Sequence, residues 1–332
     1  MLKFRFYFTK TGNLFHFISN LSEWHFSCRE RYNKIWLEET GPLNDKEKQA
    51  LKRMGNLFLK YNFESNFLGI PFITNPDTVV WEKVKNWVDE EEFNELKETF
   101  SVFEPRFEKI WQSEEAKLAK WKNTLTKELT KQKYQDLEKD LETFFNQKPQ
   151  FRNIDIYLLI SAIGSGGGAS IGPGRVTLEC TALPTTHVLR ILGVLYHETA
   201  HLVFEYGYYK NLLEQFLEPI KDKFSKRHAF FKSGRDLRVM INEATMSSLL
   251  PEGYLASKYF GRDVFHDAEK VLGTNFENIA KGKECDFRAY RLFVAAKLFP
   301  LVKNYIENKN PIDENYLQSV WKVFEEFSKK II

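Results

Sequence analysis

Thr186-His187-Val188-Leu189-Arg190-Ile191-Leu192-Gly193-Val194-Leu195-Tyr196-His197-Glu198-Thr199-Ala200-His201-Leu202-Val203-Phe204 is the most informative stretch of the chain. Its apolar residues recur at helical spacing with few polar interruptions. The pattern predicts a helix over about 186–206, buried around most of its circumference. Inside it lies an H-E-x-x-H motif, His197-Glu198-Thr199-Ala200-His201. Helix residues four apart sit one above the other on one face, so His197 and His201 can each offer a ring nitrogen to a single ion. Glu198 is rotated by about 100° from His197. That makes it a poor third ligand, but it is well placed to take a proton from water at the ion. Two imidazoles and a carboxylate with one open position suit Zn2+. Two histidines and a glutamate on a buried apolar helix would be costly without such a partner.

The third ligand must come from elsewhere. A metzincin-type extension of the motif would need Gly at 204 and His or Asp at 207, where this chain has Phe204 and Gly207. The alternative is a carboxylate on a second helix. Ile241-Asn242-Glu243-Ala244-Thr245-Met246-Ser247-Ser248-Leu249-Leu250 places one acid among small and apolar residues that let two helices approach closely. Glu243 is therefore the expected third ligand. Glu205, four residues past His201 on the same face, is a rival, as are Asp236 and His228.

Working outward, the chain is mainly α with an α+β centre. Lys3–Thr9 alternates charged and aromatic residues and predicts a short strand. Helical spacing follows over 13–38, and Asn44 can cap a helix over 46–60. Residues 78–145 read as successive helices interrupted near Glu104-Pro105. In the Lys- and Glu-rich run 113–141, Leu118, Trp121, Leu125, Leu129 and Leu137 form one apolar stripe, so the charges read as a solvated face. Asp155–Ile160 predicts a buried strand and the alternating Arg175–Cys180 a second strand, on either side of the Gly-rich run 164–170. Further helices are expected at about 208–225, 236–250, 262–280, 285–307 and 312–330. The change in texture near Pro149 suggests a mostly helical region with a short first strand over 1–150 and a second domain over 151–332, helical in its C-terminal part.

Composition narrows the function classes. The 48 basic and 45 acidic residues nearly cancel, giving a net charge of +3. This lacks the concentrated basic face of a nucleic-acid binder. Cys28, Cys180 and Cys285 are too few and scattered for a disulfide framework and fit a reducing compartment. No signal peptide is read at the N-terminus, and no apolar run is long enough to span a membrane. The expectation is a cytoplasmic protein with neither nucleic acid nor membrane as partner.

From about 151 to 255 the sequence resembles the gluzincin branch of the zincin metallopeptidases. The resemblance rests on a strand with a Gly-rich segment, the H-E-x-x-H helix, and the later helix carrying Glu243. It implies a zincin-like catalytic domain with a small mixed sheet and an active-site helix, beside the helical N-terminal half. It also implies that an edge strand within Gly166–Leu178 pairs with extended substrate. A Tyr or His from the C-terminal part would stabilise the oxyanion; the matching candidates are Tyr290, Tyr254 and His228. Thermolysin-like gluzincins carry an Asp four residues after the Glu ligand to orient a histidine. Here that residue is Ser247, leaving the role to Thr245, Ser247 or Asn242. The resemblance implies a peptide or protein substrate, hydrolysed with Glu198 as general base. Two other classes remain open at this stage: a non-catalytic, zinc-stabilised helical interaction protein, and a metal hydrolase of non-peptide amides.

Overall fold

The computed structural model describes residues 1–24, 28–61, 67–164, 167–224, 236–267 and 287–331. It is mainly helical, with one small mixed sheet. The chain forms two compact units that interleave along the sequence. The first comprises Met1–Lys3, Leu129–Arg152 and Leu192–Ile332; the second comprises Phe4–Glu128 and Asn153–Ile191. Neither coincides with residues 1–150 or 151–332.

The sheet contains β1 (Lys3–Tyr7), β2 (Asn153–Leu159), β3 (Gly168–Ser170) and β4 (Arg175–Glu179), in the order β1-β2-β4-β3. Strands β2 and β4 are parallel, with Ile156 opposite Val176 and Leu158 opposite Leu178. Val176, Thr177 and Leu178 are all buried, as expected of an interior strand covered on both faces. The short β3 pairs antiparallel with β4 and stands at the edge, with Ala169 and Ser170 exposed.

In the second unit, helices α1 (Lys10–Leu21), α2 (Glu30–Thr40), α3 (Asp45–Tyr61), α4 (Gly69–Thr74), α5 (Val80–Val84) and α6 (Glu90–Glu128) supply most of the core. The stretch 13–38, expected as one helix, is broken because Glu23 adopts the left-handed conformation just past the end of α1. Phe72 stacks on both Phe15 and Phe100, with ring centroids 4.9 and 4.8 Å apart. Each such fully buried ring contributes roughly 1.5–3 kcal/mol of burial. Helix α3 begins with a reciprocal capping box: Glu47 N–H donates to Asn44 Oδ1 at 2.9 Å, and Asn44 N–H donates to Glu47 Oε2 at 2.8 Å.

Helix α6 runs through Pro105 without the expected interruption. Proline removes one ladder hydrogen bond and crowds the preceding turn. Here the next residue ties the helix down. The buried Arg106 guanidinium donates to both Glu47 carboxylate oxygens at 2.7 Å and to the Pro42 carbonyl at 2.9 Å. Burial pushes the Glu47 carboxyl up, but these bonds and the Asn44 amide outweigh it and hold it below the ordinary value.

The first unit holds α7 (Lys133–Phe144), α9 (Gly207–Leu217), α10 (Leu237–Leu249), α11 (Tyr254–Phe260), α12 (Phe287–Glu307) and α13 (Glu314–Ile331). It also holds the part of α8 (Val188–Phe204) that follows Ile191. Helix α10 packs against α9, α11, α12 and α13, which is why nearly all its side chains are buried. The end of α8 is fixed from the segment after α7. Gln147 Nε2 donates to the Phe204 carbonyl at 2.7 Å, Gln150 N–H donates to the Val203 carbonyl, and Phe145 stacks on Phe204. These bonds satisfy carbonyls that the helix terminus leaves open.

Cys180 is a buried free thiol and Cys28 Sγ donates to the Ser19 carbonyl; Cys285 lies outside the described residues, as do Gly166 of the expected edge strand, His228, and most of the helix expected at 262–280. Among the described residues, no helix is long and apolar enough to cross a membrane.

Candidate metal centre

Helix α8 forms where the apolar pattern predicts it, and its burial is uneven in a useful way. Leu195, Tyr196, Ala200, Val203 and Phe204 are buried, whereas Val194, Glu198, His201, Leu202 and Glu205 are only half-buried. Glu198 and His201 therefore share the more open stripe of the helix, and Glu205 follows directly after its end. His197 lies off that stripe and is 2% exposed.

The structure brings His197, His201 and Glu243 together. One potential ligand atom from each lies within 4.8 Å of the others. His197 Nε2 and His201 Nε2 are 3.2 Å apart. Glu243 Oε1 is 3.3 Å from His201 Nε2, and Glu243 Oε2 is 3.7 Å from His197 Nε2. Glu243 reaches them because α10 places it on the one half-buried position of an otherwise buried run, between Asn242 and Ala244.

The other ring nitrogen of each histidine is committed. His197 Nδ1 is 2.7 Å from the Leu250 carbonyl oxygen, which can only accept, so this nitrogen carries a hydrogen and donates. His201 Nδ1 donates to Glu205 Oε1. In neutral rings both Nε2 atoms are then bare lone pairs, aimed at each other beside a carboxylate. Such an arrangement is repulsive until a cation or a proton lies between the donors. Tetrahedral coordination at about 2.0–2.1 Å per nitrogen needs donor atoms roughly 3.3 Å apart, which the two shortest separations match. The donor set therefore fits a small tetrahedral cation.

The electrostatics agree. Burial lowers the proton affinity of His201, but Glu243, Glu205 and Glu198 more than offset it and raise its pKa to about 9. Burial raises the Glu243 carboxyl, yet the His201 and His197 rings and Arg291 pull it well below the usual carboxylate range. Three acids around one imidazole make this a place that attracts positive charge.

Glu205, expected as a rival ligand, instead engages the far nitrogen of His201. The i, i+4 spacing was legible, but spacing alone does not say which ring nitrogen a carboxylate meets. Asp236 accepts from Arg238 N–H at 3.0 Å and caps α10. Of the candidates for orienting a histidine, Asn242 reaches Glu205 and His201, while Thr245 Oγ1 donates to the Ile241 carbonyl. Ser247 Oγ is buried without a hydrogen-bond partner among the described residues. The Leu250 carbonyl was missed, because a backbone group delivered by a turn leaves no side-chain signature. That turn is tight: a Cβ on Gly253 would lie 1.7 Å from the Ser248 carbonyl oxygen.

The two tyrosines expected to serve an oxyanion have other partners. The buried Tyr290 hydroxyl donates to the Met240 carbonyl at 3.1 Å, one turn before Glu243. Tyr254 donates to Glu307 Oε1 at 3.0 Å.

Known proteins add nothing to this picture. Comparisons of the chain with protein-family models, curated proteins and solved structures return no match. The site must be read from its own geometry.

Proposed function

We propose that this protein is a zinc-dependent metallopeptidase in which His197, His201 and Glu243 hold the metal and Glu198 is the general base. One observation carries the reading: both Nδ1 atoms are committed to acceptors, leaving the two Nε2 atoms, 3.2 Å apart beside a carboxylate, as the positions from which the rings can ligate. Among the described residues three donors converge, the number found in catalytic rather than closed structural zinc sites.

Zinc held there supplies a Lewis acid for the scissile carbonyl and lowers the pKa of water. Glu198 lies on the open stripe of α8 and within electrostatic reach of His201. Its carboxylate accepts a proton as the water oxygen adds to the carbonyl carbon. It returns that proton to the amine nitrogen as the C–N bond breaks. His197 and His201 keep their Nδ1 hydrogens throughout, because the Leu250 carbonyl and Glu205 hold them.

The test is a peptide-library cleavage assay with wild type and Glu198→Gln, alongside metal analysis. The variant keeps its zinc and loses about 10²–10⁴-fold in rate, the usual contribution of a general base. Cleavage by the variant at the wild-type rate would remove Glu198 from that role.

A further inference from the structure

Resting on the zinc reading above, we infer that Glu205, Asn242 and Tyr209 form a positioning relay that fixes the tautomer and orientation of His201 for the metal. The relay starts at Tyr209, which is fully buried on α9. Its backbone N–H donates to Gln147 Oε1 at 3.3 Å and its ring packs edge-on against Phe145, so the phenol is held from two sides. The hydroxyl donates to Asn242 Oδ1 at 2.9 Å.

This bond sets the direction of everything beyond it. With Oδ1 turned to Tyr209, the Asn242 amide must present its NH₂ the other way. Nδ2 donates to Glu205 Oε1 at 2.6 Å and lies 3.3 Å from His201 Nδ1. Glu205 Oε1 thus faces two donors, the Asn242 amide and the His201 ring. A carboxylate bonded in this way is an acceptor only, so His201 Nδ1 must carry its hydrogen and Nε2 must be the free nitrogen. Reversing the amide would set Oδ1 against the Glu205 oxygen and leave the buried Tyr209 hydroxyl facing NH₂. The ring is oriented by Glu205, which directly follows α8, together with groups from α9 and α10.

The composition of the relay follows from this geometry. An acid at 242 would face the Glu205 carboxylate at 2.6 Å, so the position needs a neutral amide with a donor and an acceptor. The orienting carboxylate comes from the residue that directly follows α8, four residues after its histidine. Ser247 on α10, where the resemblance would place an acid, is free for packing.

The experiment measures zinc affinity of the full chain by competition with a chromophoric chelator, and the visible absorption of the cobalt-substituted protein. Glu205→Ala is expected to weaken zinc binding by about 10–100-fold and to shift the cobalt bands. Glu205→Gln retains an oxygen acceptor and recovers part of that loss. Tyr209→Phe weakens binding roughly 2–10-fold, the worth of one neutral hydrogen bond. A purely structural role would lower the melting temperature of the zinc-free protein and leave zinc affinity and the cobalt spectrum unchanged. The relay is overturned if folded Glu205→Ala binds zinc within about twofold of wild type. Should that variant not fold, wild-type affinity and spectrum in both Glu205→Gln and Tyr209→Phe overturn it instead. A wild-type chain that takes up no zinc sinks the metallopeptidase reading itself, an outcome separate from a wild type and variants that bind alike.

Discussion

The two histidines of the candidate centre sit one turn apart on one helix, yet the protein holds them by opposite means. His197 is buried and donates to a backbone carbonyl, that of Leu250. His201 is half-buried and donates to a side chain, Glu205, which is itself engaged by Asn242. A backbone acceptor is set by the path of the chain and survives any change of the Leu250 side chain. A carboxylate acceptor adds charge and can be altered by substitution at one position. The difference separates a rigid anchor from a tunable one on the same helix.

The anchor at His197 breaks only if the turn beneath it moves. Gly253→Ala would drive a Cβ into the Ser248 carbonyl, a backbone collision that no rotamer change can relieve. We expect this variant to lose about 3 kcal/mol or more in urea unfolding and to bind zinc poorly even though it alters no ligand. Wild-type stability and zinc content in Gly253→Ala would show that the turn does not fix His197.

The anchor at His201 responds to pH instead. In zinc-free protein the folded pKa is raised from 6.5 to about 9, by Glu243, Glu205 and Glu198 working against burial. A raised folded value means the proton binds the native state more tightly. Its stabilisation is complete below the unfolded value and is lost as pH rises through about 9. Melting temperature of chelator-treated protein should fall over that window, and His201→Ala should flatten the fall. An equal slope in both proteins would assign the titration to other groups. The smallest effect is expected for Asn242→Ala, which leaves Glu205 bonded to His201 but removes one donor from it. A loss of roughly 1 kcal/mol is expected, read by thermal unfolding, with His197 unaffected.

The same contrast explains what the sequence could reveal. The meeting of His197 with His201 was legible because helical periodicity puts residues four apart on one face, and that of Glu243 with them because a lone acid among small residues stands out. Side-chain anchors leave a trace: Glu205 was noticed, although as a ligand rather than as the partner of Nδ1. Asn242 was noticed too, for its ability to orient a histidine. The Leu250 carbonyl left none. Elsewhere the strand at 155–160 followed from its apolar run and that at 175–180 from its alternation. The break after α1 did not, because it depends on the backbone of Glu23. Nor did the continuity of α6, because a distant pair, Arg106 with Glu47, holds the helix together next to Pro105.

Zinc stoichiometry of the purified full chain, measured by elemental analysis after loading and extensive dialysis, bears most directly on the centre. A single tightly held zinc is expected in wild type and in Glu198→Gln, with most of it lost in Glu243→Ala. Absence of zinc from wild type, or full retention in Glu243→Ala, would contradict a centre built from His197, His201 and Glu243.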